Sequence, residues 1–121
     1  MAFIYHNVNP DGDREQDCVT RAISLATQID YCSIRRKLYH TSKLLECDKL
    51  CVCCYKHLIE DIFKFRRVNS DGMTVGDFAY EYPNGTYLVR MNGHISTVID
   101  GDVWDIWDCR KELVTDAWEV K

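Results

Sequence analysis

The sequence predicts an α+β fold, with N-terminal helices packed on a C-terminal antiparallel β-sheet. Three observations predict it. Apolar residues recur at helical spacing through the first half of the chain. The last third changes period, where runs rich in β-formers flank Asn92-Gly93 and Asp100-Gly101, strong two-residue hairpin signals. A chain of 121 residues, 46% of them hydrophobic, also suits a single domain over residues 1–121 with a real core.

Residues 1–8 alternate loosely and read as an edge strand or an extended lead-in. Asn9-Pro10-Asp11-Gly12-Asp13 is a turn by composition. Asp17 is a strong N-cap type, and Val19, Ala22, Ile23 and Ala26 after it form one apolar stripe, predicting a helix over about residues 18–28. Asp30 can cap a second helix, along which Ile34, Leu38, Thr41 and Leu45 recur. Arg35, Arg36 and Lys37 lie elsewhere on that wheel, and a solvated face is favoured over a patch for an acidic partner.

Cys47, Cys51, Cys53, Cys54 and His57 invite a zinc reading. The stretch looks helical, however, with Cys51, Cys54, Tyr55, Leu58 and Ile62 on one face. Structural zinc usually takes two separated ligand pairs, so packing as small buried hydrophobes is favoured over metal binding or redox use. No metal or cofactor is expected. Residues 63–68 could be helix end or strand. Thr74-Val75-Gly76-Asp77 resembles a capping box and opens a short helix ending near Tyr82, before the breaker Pro83-Asn84-Gly85. Strands follow at about 86–91, 94–99 and 102–108, a three-stranded meander, with a further strand at 117–120.

Composition narrows the function. A net charge of −4 argues against nucleic acid as a partner. No apolar run approaches the ~18 residues of a membrane span. The N-terminus lacks the layout of a secretory signal, so a cytoplasmic location is expected, with the seven cysteines as free thiols.

Cys18 falls at the first helical position, where unpaired N–H groups and the helix dipole lower a thiol pKa. It is therefore a candidate nucleophile that needs a base. With Asp100-Gly101 as a two-residue turn, Ile99 pairs with Asp102, Val98 with Val103, Ser96 with Asp105 and His94 with Trp107. One face then carries His94, Ser96, Val98, Val103, Asp105 and Trp107, and Tyr87, Val89 and Met91 join it from the preceding strand. Asp108 falls on the other face. The apolar stripe of the Cys18 helix is the expected cover for this face, which would bring the thiol to the imidazole. Cys18 is then nucleophile, His94 proton acceptor and Asp105 its orienting carboxylate, with the Cys18 backbone N–H donating to an oxyanion.

Two motifs strengthen this reading. Asp17-Cys18-Val19-Thr20-Arg21-Ala22 has the form Asp-Cys-Val-x-Arg-Ala. The stretch from Gly93-His94 through Val98-Ile99-Asp100-Gly101 to Asp105-Ile106-Trp107-Asp108 has the form Gly-His-x-x-x-Val-Ile-Asp-Gly-x-x-x-Asp-x-Trp-Asp. Thr86-Tyr87-Leu88-Val89 fits ahead of the histidine. At these residues the chain resembles the papain-like cysteine peptidase superfamily, and more narrowly its small phage and prophage members. The resemblance implies a papain-like fold and a thiol hydrolase attacking an amide, isopeptide or thioester carbonyl. It implies a phage-encoded protein acting on a protein or peptide substrate, such as a bacterial host protein, in the host cytoplasm. The alternative it carries is a catalytically inactive scaffold used for binding or inhibition, as in counter-defence. Papain-like enzymes place an oxyanion-hole glutamine a few residues ahead of the nucleophile. Gly12 stands there in this chain, and Asn7, Asn9 and Gln16 remain open as substitutes.

Overall fold

Helices cover both faces of a six-stranded mixed sheet, in an α+β arrangement. The computed structural model describes residues 2–10, 17–47 and 51–120. The elements run β1 (Phe3–Tyr5), α1 (Cys18–Thr27), α2 (Tyr31–Leu45), α3 (Val52–His57), β2 (Arg66–Arg67), α4 (Val75–Glu81), β3 (Thr86–Met91), β4 (His94–Ile99), β5 (Asp102–Asp105) and β6 (Val114–Val120). Strand order is β1-β5-β4-β3-β6-β2. The turn expected at 9–13 falls at Asp11, Gly12 and Asp13 outside the described residues, as do Gln16 and residues 48–50 of the cysteine-rich stretch.

The hairpin chemistry sets the centre of the sheet. Asp100 and Gly101 both take positive φ, 48° and 81°, as a two-residue type I′ turn requires. Ile99 accordingly pairs with Asp102 and Val98 with Val103. A purely antiparallel sheet is not what forms, because β1 lies parallel to β5 at one edge. The early strand reaches that edge only after the helical half of the chain intervenes, a route that hairpin signals do not encode. At the other side β6 pairs with β3, and β2 closes the edge against β6.

The cover also differs from expectation. The stripe of α1 packs on Leu88, Ile95 and Trp118, and Thr97 Oγ1 donates to the Ala22 carbonyl at 2.8 Å. Tyr87, Val89, Met91, Val98 and Val103 lie under Val75, Phe78 and Ala79 of α4 instead. The physical reason is that the central strands are buried on both faces: Tyr87, Leu88 and Val89 are all buried, and so are residues 95–98. Such strands need two covers, and alternation read onto one face supplies only one.

Local signals account for the starts of α2 and α4. Asp30 accepts from the Ser33 N–H at 3.1 Å and opens α2, whose Ile34, Leu38 and Thr41 are buried while Leu45 is 38% exposed. Arg35, Arg36 and Lys37 are exposed. Thr74 and Asp77 form the reciprocal capping box of α4. Helix α3 widens into a π turn over Leu58–Ile62, closed by the Phe63 N–H on the Leu58 carbonyl at 2.9 Å. That wider turn rotates Ile59 inward and leaves Ile62 49% exposed, so Ile62 does not share the buried face. Of the clustered cysteines only Cys54 is buried; Cys47 and Cys51 pack partly and Cys53 is exposed. Packing therefore accounts fully for Cys54, in part for Cys47 and Cys51, and not for Cys53. All seven cysteines are free thiols. Among the described residues, no helix is long and apolar enough to cross a membrane.

Ile23 is fully buried between α1 and the sheet, so Ile23→Ala should cost about 2–5 kcal/mol in denaturant unfolding. Thr74→Ala, which removes only the cap of α4, should cost about 1 kcal/mol in the same measurement.

Candidate active site

Cys18 is the first residue of α1 and His94 the first of β4, so their contact is made where both elements begin. The thiol and the imidazole lie close enough for each to favour the charged form of the other, and the Ile95 backbone N–H also favours the charged sulfur. His94 Nε2 lies 2.6 Å from Asp105 Oδ2. With Nε2 committed to the carboxylate, Nδ1 is the ring nitrogen left for the thiol. The three residues picked from the sequence thus come together, although α1 covers the opposite sheet face.

Asp105 is almost wholly buried and must satisfy its charge internally. Its Oδ2 accepts from His94 and, at 2.8 Å, from Ser96 Oγ. Its Oδ1 accepts from the Ile106 N–H at 2.7 Å and from Arg21 Nη1 at 3.2 Å. β5 ends at Asp105, short of residue 108, because the carboxylate turns back onto its own chain at Ile106. Trp107 is therefore not a strand partner of His94; its ring meets the imidazole edge-on, with centroids 5.1 Å apart. Asp108 leaves the site and forms a two-point ion pair with Arg110.

Arg21 is the residue that sequence reasoning passed over as part of the site. Its buried guanidinium also donates from Nε to Asp17 Oδ1 at 2.6 Å. Asp17 Oδ2 accepts from the Tyr31 hydroxyl at 2.7 Å and from Asn9 Nδ2 at 3.0 Å. Asp17 consequently makes no side-chain cap to α1: its oxygens are spent on Arg21, Tyr31 and Asn9. Asn9, a candidate for the oxyanion role, gives its amide to Asp17 and Tyr31. Asn7 Oδ1 accepts from the Asn9 N–H, and Gln16 and Gly12 lie outside the described residues. The signal that could have found Arg21 is its i,i+4 spacing from Asp17, directly beside the cysteine.

The electrostatics follow from these contacts. Burial alone would raise the Cys18 thiol, but the hydrogen bond and charge of His94, the Ile95 amide and Arg21 together hold it below its ordinary value. Burial likewise opposes charge on His94, yet the bonds to Asp105 and Cys18 raise it to about 9. Asp105 is lowered despite its burial, chiefly by His94 and then by Ser96 and Ile106. Both shifts favour the charged forms, a thiolate beside an imidazolium. Moving the proton from sulfur to nitrogen leaves the net charge of the buried cluster unchanged, so the ion pair adds no net charge to the interior.

A cavity of about 10 Å³ lies beside the thiol, lined in part by His6, Arg21, Ser96 and Trp104, and has room for roughly a single water. Among the described residues, Trp104 Nε1 is buried without a hydrogen-bond partner. His94, Asp105 and Cys109 also approach metal-binding spacing. Both Asp105 oxygens are already bonded, and burial pushes the Cys109 thiol up to about 12, so this trio is a hydrogen-bonded cluster and a poor ligand set. Comparison of the chain with protein-family models, curated proteins and solved structures finds no match.

Alkylation needs the thiolate, so its rate on Cys18 should rise through a midpoint below that of an ordinary thiol. Asp105→Asn removes the charge that keeps His94 protonated and should move that midpoint upward. At pH values below both midpoints, each unit of movement slows labelling about tenfold. Iodoacetamide rates against pH, with Cys18 located by mass spectrometry, measure this; an unmoved midpoint would show that Asp105 does not tune the pair.

Proposed function

We propose that the protein is a thiol hydrolase working through a Cys18-His94-Asp105 triad, in a papain-like arrangement of helix-borne cysteine and sheet-borne histidine. One observation carries the proposal: a thiol at a helix start lies beside an imidazole at a strand start, and that imidazole is hydrogen-bonded to a buried carboxylate. The electrostatics support it, because such a pair stores a nucleophile and a proton donor side by side.

The chemistry follows from those roles. The Cys18 thiolate attacks a carbonyl carbon, forming a C–S bond as the carbonyl π electrons move to oxygen. The Cys18 N–H, in the first turn of α1 where amides lack partners within the helix, is placed to donate to that oxyanion. Collapse breaks the bond to the leaving group, which takes the His94 proton and departs as amine or thiol. Water then attacks the acyl-cysteine, His94 takes its proton, and the thiolate leaves as the acid is released. Asp105 orients the imidazole and stabilises its charged form throughout.

The substrate class that fits is a protein or peptide amide, isopeptide or thioester. The motif resemblance extends the proposal to a phage-encoded protein acting on a bacterial host or phage protein in the host cytoplasm. The same scaffold used only for binding is the rival reading. Cys18→Ser and His94→Ala separate the two, since a purely binding protein keeps its biological effect in both.

A chloroacetyl or vinyl sulfone peptide probe should label Cys18 in the intact protein, with labelling abolished by Cys18→Ala and strongly slowed by His94→Ala. Labelling that survives Cys18→Ala would remove Cys18 as the reactive thiol. Hydrolysis itself should show a basic limb: His94 must hold a proton for the leaving group, so turnover falls as pH rises through about 9.

A further inference from the structure

A second group of thiols lies outside this site. Cys47 follows the left-handed C-cap of α2 at Glu46, Cys51 is the residue before α3, and Cys53 lies in the first turn of α3. The sequence argument against a metal was that all donors come from one stretch that reads as helical, without the two separated ligand pairs of structural zinc. They come instead from the end of one helix and the start of the next.

The sulfurs of Cys47, Cys51 and Cys53 all lie within 4.8 Å of one another, with Cys51 and Cys53 at 2.9 Å. Around a tetrahedral ion with zinc–sulfur bonds of ~2.3 Å, ligand sulfurs stand ~3.8 Å apart, so small side-chain rotations suffice. Cys54 sits behind them, in contact with Cys47 and donating to the Leu38 carbonyl at 3.5 Å. Three thiols that are not fully buried, gathered at one point, have no packing role comparable to that of Cys54. An all-sulfur donor set discriminates against magnesium, calcium and manganese and selects a thiophilic ion.

We propose that Cys47, Cys51 and Cys53 bind a zinc ion that clips the end of α2 to the start of α3. Binding forms three Zn–S bonds and releases three thiol protons to solvent. The fourth position takes water, or Cys54 after a rotation that gives up its bond to Leu38. The site does not depend on the hydrolase reading, as it shares no residue with the triad.

The experiment uses the full chain, purified reduced and without chelator, then given zinc chloride and desalted. Elemental analysis should find one zinc per chain, and cobalt(II) alone should give intense sulfur-to-metal absorption bands that zinc abolishes. Cys51→Ser/Cys53→Ser should lose both signals, while Cys18→Ser keeps both. Because the double variant could disturb folding, its circular dichroism is compared with the metal-free parent, and the single Cys47→Ser should weaken zinc binding with the spectrum intact. Zinc should also raise the melting temperature of the parent and leave that of the double variant unmoved. Substoichiometric zinc without cobalt–thiolate bands would overturn the proposal. So would zinc that persists in the double variant but is lost in Cys18→Ser, or binding of copper(I) with none of zinc.

Discussion

A buried carboxylate with four nitrogen and oxygen donors is the constraint on which the arrangement depends. Asp105 takes hydrogen bonds from His94, Ser96, the Ile106 amide and Arg21, and each donor comes from a different place: two positions along β4, the residue after β5, and α1. Leaving one of those donors out would strand charge in the interior, which costs far more than an exposed ion pair contributes. The carboxylate therefore fixes where the start of α1 sits relative to the starts and ends of the strands. Arg21 carries the constraint further. Its second bond, to Asp17, links the same helix turn to Tyr31 of α2 and to Asn9 of the lead-in. A chain of alternating charges thus runs from α2 to the imidazole, and the thiol stands at its end.

How far this was legible in the sequence depends on whether a signal is local. Asp100-Gly101 dictates a backbone conformation at two adjacent residues, and the register of β4 against β5 follows from it. Thr74-Asp77 specifies its own cap in the same way. Cys18 and His94 could be picked because helix starts and hairpin registers are local facts, although the reason given for their meeting did not hold. The expected cover came from one-face alternation, whereas Leu88 and Ile95 show that β3 and β4 face a core on each side. Two signals were misread because a tertiary partner won. Asp17 has the composition of a cap, but a buried arginine four residues on outbids the backbone for its oxygens. Ile62 has helical spacing, but the π turn shifts the register by one residue. The parallel pairing of β1 with β5 had no local signal at all, since it joins segments from opposite ends of the chain.

Seven cysteines in one small protein also show that environment rather than residue type decides reactivity. Cys109 Sγ lies 4.0 Å from the same Asp105 oxygen that holds His94, yet the two thiols respond oppositely. Burial raises Cys109 most, and the carboxylate charge raises it further, because an anion beside a thiol opposes a second anion. Cys18 meets the same carboxylate only through the imidazole. The intervening ring inverts the sign: Asp105 stabilises a cation on His94, and that cation stabilises the thiolate. A carboxylate close to a cysteine is thus no indicator of a nucleophile, and marks the reverse when nothing basic lies between them. What identifies Cys18 is its place in the series, one ring removed from the charge that a directly adjacent sulfur could not tolerate.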